Sequence, residues 1–227
     1  MIPQPLAAIV FDMDGLLLDT ETVCREAIFR SCADLGYAMT DELFLSLVGS
    51  PKEANDKRLT SHFGAAFPLP DFENGRRAWM RELCASSVKL KPGARDLLEF
   101  LKSARISSAV ATSSGRDEAE EHLRHAGVLP LIDVLVARED VTHGKPHPES
   151  FLRAAELLAV RPQQCLALED SYNGVRAAHG AGMATIMVPD MLPATPEMRI
   201  LCVGVMQDLR QVQAAIERVL SLAPGLG

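Results

Sequence analysis

The sequence predicts a doubly wound, mainly parallel α/β sheet with a small helical domain inserted after its first strand. Three observations point there. Short apolar runs recur at residues 6–11, 106–111, 132–137, 165–168, 184–188 and 200–205, and none alternates regularly between polar and apolar residues. That is the pattern of parallel strands covered on both faces. From residue 93 onward these runs alternate with helical periodicities, as a sheet built from β–α units requires. Between Asp19 and Lys91, by contrast, there is no convincing strand, and a stretch of that length is far too long for a plain loop. The expected organisation is therefore a core of residues 1–18 and 90–227 and a helical domain of residues 19–89.

The individual elements follow from spacing and punctuation. Within the insert, Cys24, Ala27, Ile28, Cys32 and Leu35 share one helical face that stops at Gly36. Further helices are expected over about 51–63 and 72–88, with Pro68 and Pro70 between them. In the core, Pro92-Gly93 opens a helix carrying Ala94, Leu97, Leu98 and Leu101. Ala119, Leu123 and Ala126 mark another, stopped by Gly127. Pro148 leads into a third, with Phe151, Leu152, Ala155, Leu158 and Ala159 as its apolar stripe. No internal repeat or low-complexity segment is visible.

Composition excludes several classes. With 48% hydrophobic and 23% charged residues the chain can bury a sizeable core. A formal net charge of -7 and the lack of a basic cluster argue against nucleic acid as a partner. No run approaches the roughly 20 apolar residues of a membrane span. The first apolar run stops at Asp12, so no leader peptide is expected. Five scattered cysteines without a C-x-x-C pair read as reduced thiols, and a cytoplasmic location is expected.

In an open α/β sheet, ligands bind beyond the carboxyl ends of the strands. Asp12-Met13-Asp14-Gly15 and then Asp19-Thr20 follow the first apolar run. Thr112-Ser113-Ser114 follows the second, Lys145 in Gly144-Lys145-Pro146 lies past the third, and Glu169-Asp170-Ser171 ends the fourth. Together they offer carboxylates, a hydroxyl and a lysine, the chemistry of a site for a hard cation and a phosphate.

These residues carry a resemblance. The set Asp12-x-Asp14-Gly15-x-x-x-Asp19-Thr20, Thr112, Lys145-Pro146 and Glu169-Asp170-Ser171-x-x-Gly174, in that order, resembles the motifs of the haloacid dehalogenase-like phosphotransferases. The resemblance is to the group containing β-phosphoglucomutase and the sugar-phosphate phosphatases. It implies a Rossmann-like core with a helical cap, and a Mg2+-dependent phosphatase acting on a small phosphorylated metabolite such as a sugar phosphate. Asp12 would be the nucleophile that takes the phosphoryl group. Asp14 would be the general acid/base, its backbone carbonyl also ligating the metal. Asp170 would join Asp12 on Mg2+, with Glu169 a ligand or close neighbour. Thr112, the backbone N–H of Ser113, and Lys145 would hold the phosphate. Ser114 is assigned instead to a capping box with Asp117.

The insert would then be a cap that closes over the site and selects the substrate. Lys52, in Val48-Gly49-Ser50-Pro51-Lys52, and Arg76, Arg77 and Arg81 are its candidate substrate cations, though solvated helix charges are an equal reading. Cys24 stands where mutases of this group carry a histidine, and a thiol does not replace that imidazole near neutral pH. Hydrolysis is therefore favoured over a β-phosphoglucomutase-like mutase. A receiver-like phospho-switch is a weaker alternative, because such domains lack both a cap and an acid/base Asp two residues after the phospho-accepting one. A scaffold that only binds partners is disfavoured by the complete set of motifs. Nothing fixes the oligomeric state, and a monomer is the default expectation. His143 and His147 are four apart, but glycine and prolines exclude a helix between them and the sequence shows no obvious third ligand, so no zinc site is expected.

Overall fold

The computed structural model describes residues 1–48, 50 and 52–222. Gly49, Pro51 and the last five residues lie outside it, and with them part of the expected substrate-contacting loop around Lys52. The chain forms two compact units, Met1–Leu18 with Lys89 onward, and Asp19–Val88.

The larger unit is a six-stranded sheet in which every neighbouring pair is parallel. Its strands are β1 (Ala8–Phe11), β2 (Ser107–Ala111), β3 (Val134–Val136), β4 (Cys165–Glu169), β5 (Ala184–Met187) and β6 (Gly204–Val205), in the order β3-β2-β1-β4-β5-β6. β1 and β4 are buried along their whole length, as covering on both faces demands. Around the sheet lie α5 (Ala94–Ala104), α6 (Arg116–His125), α7 (Glu149–Leu157), α8 (Tyr172–Gly180), α9 (Pro196–Leu201) and α10 (Leu209–Leu222). α7 packs on β1, β2 and β3, and α5 on β2 and α10. One core layer joins Val10, Ala109, Ala111, Val136 and Ala167 of the sheet to Phe151, Ala154 and Ala155 of α7 and Ala177 and Ala178 of α8. The alanines on both sides let these helices approach the strands closely, and Phe151 fills the remaining space.

The smaller unit is helical: α1 (Thr20–Asp34), α2 (Asp41–Leu47), α3 (Lys52–Phe63) and α4 (Leu69–Ser87). α1 and α4 meet where a Cβ on Gly75 would come within 2.6 Å of Ser31 Oγ, so a glycine is needed for the close approach. There the Ser31 hydroxyl donates to the Phe72 carbonyl at 2.7 Å. Tyr37, Phe63, Phe67 and Phe72 form a chain of ring contacts that closes the bundle.

Several sequence expectations change. The apolar run 200–205 is only partly strand, because Thr195 caps the start of α9 by accepting from Met198 N–H and Pro196 sits in its first turn. This draws Ile200 into a helix, where it is 81% exposed. α2 was not expected, although Thr40 followed by Asp41 and Glu42 is a helix-start signal. Pro70 lies inside α4 rather than before it, in the first turn, where its missing N–H has no intrahelical partner to lose. On α7 the buried face is Phe151, Ala154 and Ala155, and Leu152 points to solvent.

Phe151 has no exposed surface. Replacing it with alanine should leave an unfilled cavity in this layer and lower the core unit's stability by about 3–5 kcal/mol. Urea denaturation, with the slope unchanged and the midpoint reduced, is the expected reading.

Candidate active site

The register of the sheet lines up its polar ends. Phe11 pairs with Val110 on one side and Leu168 on the other, so Asp12 and Glu169 leave adjacent strands at the same level. Asp12 N–H still bonds the Leu168 carbonyl at 3.0 Å, and Thr112 N–H bonds that of Val136 at 2.9 Å. The backbone thus fixes the roots of these side chains before their own contacts form.

Lys145 arrives on the segment between β3 and α7 and bridges two carboxylates. Its Nζ lies 2.5 Å from Asp12 Oδ1 and 2.5 Å from Glu169 Oε1. It also stands 5.0 Å from the centre of the Phe151 ring. The lysine side chain is only 7% exposed, and that of Glu169 is wholly buried. Glu169 Oε2 accepts from both the N–H and the hydroxyl of Ser171, which leaves this carboxylate fully engaged as the lysine's counter-ion. Ser171 in turn caps α8 by accepting from Gly174 N–H.

Asp14 is held from the neighbouring strand. Its Oδ2 accepts from the Thr112 hydroxyl at 3.2 Å and the Ser114 hydroxyl at 2.8 Å. The expected capping box is therefore replaced: α6 starts at Arg116 with Gly115 as its N-cap, and the Ser114 side chain serves Asp14. Ser113 is exposed at this edge.

The charges do not balance. Burial is the main cause that pushes the Asp12 carboxyl up to about 8; Lys145 works against it, while Glu169 and Asp14 add repulsion. Burial would depress the Lys145 ammonium, yet Asp12 and Glu169 hold it above the usual lysine range. The Lys145 shift reflects the two carboxylates around it, whereas that of Asp12 is first of all the cost of burying its charge, to which Glu169 and Asp14 add. Donor oxygens of Asp12, Glu169 and Asp170 lie within 4.8 Å of one another.

Two further features fit a hard cation. Gly15 has φ +82°, and a Cβ there would stand 2.4 Å from Asp170 Oδ2 and 3.4 Å from Asp190 Oδ2. The glycine therefore keeps open a space that two carboxylates border. Asp190 Oδ1 accepts from Lys91 at 2.6 Å, but its buried Oδ2 has no hydrogen-bond partner among the described residues. An all-oxygen set with an unsatisfied carboxylate oxygen beside it suits Mg2+ rather than a softer ion. Sequence reading missed Asp190. It too follows a strand, three residues past the end of β5, and that position was its only signal.

In the helical unit, Cys24, Lys52, Arg76 and Arg77 line one pocket of about 410 Å³, together with apolar Ile28, Phe44, Leu59 and Phe72. Lys52 pairs with Asp56 at 2.7 Å and Arg76 with Glu73 at 3.0 Å. Arg77 is exposed on the pocket's wall, whereas Arg81 is a surface charge outside the lining.

Residues 9–188 match the family described as haloacid dehalogenase-like hydrolases. The chain is 36% identical over 181 residues to the phosphorylated carbohydrates phosphatase of Thermotoga maritima, spanning 80% of this chain and 84% of that protein. It is 35% identical over 175 residues to the validoxylamine A 7′-phosphate phosphatase of Streptomyces hygroscopicus subsp. limoneus, spanning 77% of this chain and 81% of the other. The crystal structure of CbbY from Rhodobacter sphaeroides in complex with phosphate matches with a TM-score of 0.72 and 29% identity, over 91% of this chain and 96% of that one.

A glycine-to-alanine change inside a helix ordinarily stabilises by about 1 kcal/mol. Gly174 should show the opposite sign, because a Cβ there would fall 1.8 Å from Glu169 Oε1. Thermal melting of Gly174→Ala is expected to drop. Gly180→Ala at the end of α8, where the nearest atom is 3.6 Å away, should leave it unchanged or raise it slightly.

Proposed function

The chain belongs to the haloacid dehalogenase-like hydrolases, and we propose that it is a Mg2+-dependent phosphatase of small phosphorylated metabolites, sugar phosphates first among them. One observation carries the reading: Lys145 bridges Asp12 and Glu169 while Asp14, two residues from Asp12, is oriented by two hydroxyls. A carboxylate held against an ammonium, with a second carboxyl beside it, has the parts for covalent phosphoryl transfer and for the proton that must accompany it.

In this reading Asp12 attacks phosphorus in line and forms an aspartyl phosphate. Asp14 gives its proton to the departing alcohol oxygen. It then takes a proton from the water that cleaves the acyl phosphate, and inorganic phosphate leaves. Lys145 offsets charge on the transferring group, and Thr112 with the backbone N–H of Ser113 receives its oxygens. Asp12, Asp170 and the Asp14 carbonyl would hold Mg2+, with Asp190 beside them and Glu169 reserved for Lys145. Bound there, the ion would neutralise phosphate oxygens as the carboxylate approaches.

The helical unit is assigned the choice of substrate. Its pocket mixes an apolar floor with Asn55, Lys52–Asp56 and Glu73–Arg76, which suits a ligand with hydroxyl groups. The named activities of the two curated relatives, on phosphorylated carbohydrates and on validoxylamine A 7′-phosphate, support that class. Cys24 in this pocket provides no imidazole, which favours release of phosphate to water over its return to the sugar.

Phosphate release from a panel of phosphorylated metabolites, with and without Mg2+, tests the reading. The expected result is Mg2+-dependent turnover of a few sugar phosphates, lost in Asp12→Asn and slowed by about 10²–10⁴ in Asp14→Asn. Isomerised product on adding a sugar bisphosphate would replace the phosphatase with a mutase.

A pH dependence follows from Asp12. With its carboxyl raised to about 8, the metal-free site keeps a proton below that pH, and Mg2+ must displace it. Because burial raises the Asp12 carboxyl, Mg2+ affinity should rise as pH increases through the neutral range. Calorimetry at pH 6, 7, 8 and 9 in buffers of different ionisation heat reads both the affinity and the proton released.

A further inference from the structure

Outside the strand-end site, the segment between β3 and α7 gathers a second set of ligand atoms. His143 Nδ1 lies 3.0 Å from Glu149 Oε2, and His147 Nδ1 lies 3.7 Å from the same oxygen. The two imidazole rings are 4.6 Å apart, tilted by 38°. All three donor atoms fall within 4.8 Å of one another. Ligand bonds of about 2.0–2.1 Å in a tetrahedral zinc site put neighbouring donors roughly 3.3 Å apart. The two histidine–glutamate separations straddle that value.

The carboxylate is already fixed for the task. Glu149 opens α7, and its Oε1 accepts from Thr142 N–H at 2.7 Å while Oε2 accepts from His143 N–H at 3.0 Å. These backbone bonds hold it below the usual carboxylate range, hence ionised. Supporting bonds of this kind orient a metal ligand before the ion arrives. Both histidines are exposed, which leaves room for water in the fourth position. Two imidazole nitrogens select a borderline ion over Mg2+.

We propose that His143, His147 and Glu149 form a surface site for a zinc-class divalent ion, separate from the acidic strand-end site. His143 and His147 stand two residues to either side of Lys145. An ion held by both closes the short segment that carries the lysine into a ring. Sequence alone showed the histidine pair. Glu149 becomes the third ligand only because the segment folds back onto the first turn of α7.

The test is calorimetric titration of ZnCl2 into the full chain at saturating Mg2+, with thermal melting in parallel. Wild type should bind one Zn2+ at this site and melt higher with it. His143→Ala and His147→Ala should each weaken that binding by about tenfold or more and remove the thermal shift. Asp170→Asn should leave both unchanged. Both histidines are exposed, and melting curves without Zn2+ report whether each variant is folded. No Zn2+ binding to wild type, or equal binding by wild type and both histidine variants, overturns the proposal. So does loss of binding in Asp170→Asn alone, which would place the ion among the strand-end carboxylates.

Discussion

The contact of Lys145 with Asp12 and Glu169 is the constraint on which the rest of the core arrangement turns. A buried ammonium is costly unless it is paired, and so is each buried carboxylate. The pairing works only if β1 and β4 are neighbours in register, since that places the two acids side by side. It also needs Gly174, because any side chain there would occupy the space of the Glu169 carboxylate. And it needs the segment before α7 to reach across to the end of β1. Sheet order, one glycine and one connection thus serve the same ion cluster.

The cluster remains short of positive charge. Asp12, Asp14, Glu169, Asp170 and Asp190 gather where β1, β4 and β5 end, with Lys145 and Lys91 as their paired cations. A divalent ion among these oxygens would supply the charge that the two lysines do not. Division of labour among the acids then follows from their partners. Glu169 is consumed by Lys145 and Ser171, Asp14 is steered by Thr112 and Ser114, and Asp12 keeps one oxygen that Lys145 does not take.

Much of the fold was legible because parallel strands buried on both faces write continuous apolar runs, and the runs at β1, β2, β4 and β5 did so. Partly buried β3 was legible in the same way from the run 132–137, and the signal failed at β6. β6 has two residues, and the apolar run around it is shared with α9, whose start is set by Thr195 and Pro196. Pro70 reads as a break between helices, although a first helical turn accepts proline. In both cases the chemistry of a helix start decided the outcome.

Sequence by itself determined which chemical groups stand at the strand ends, because each directly follows or closely trails an apolar run: Asp12 and Asp14, Thr112, Lys145, Glu169 and Asp170. Tertiary structure alone decided who holds whom. It turned Ser114 from a cap into a partner of Asp14, spent Glu169 on Lys145, added Asp190 to the acidic edge and set Glu149 against two histidines. The physical reason is reach. A strand-end residue is marked by its own neighbours in the chain, whereas its hydrogen-bond partner is fixed by strand order and packing between segments that local patterns do not relate.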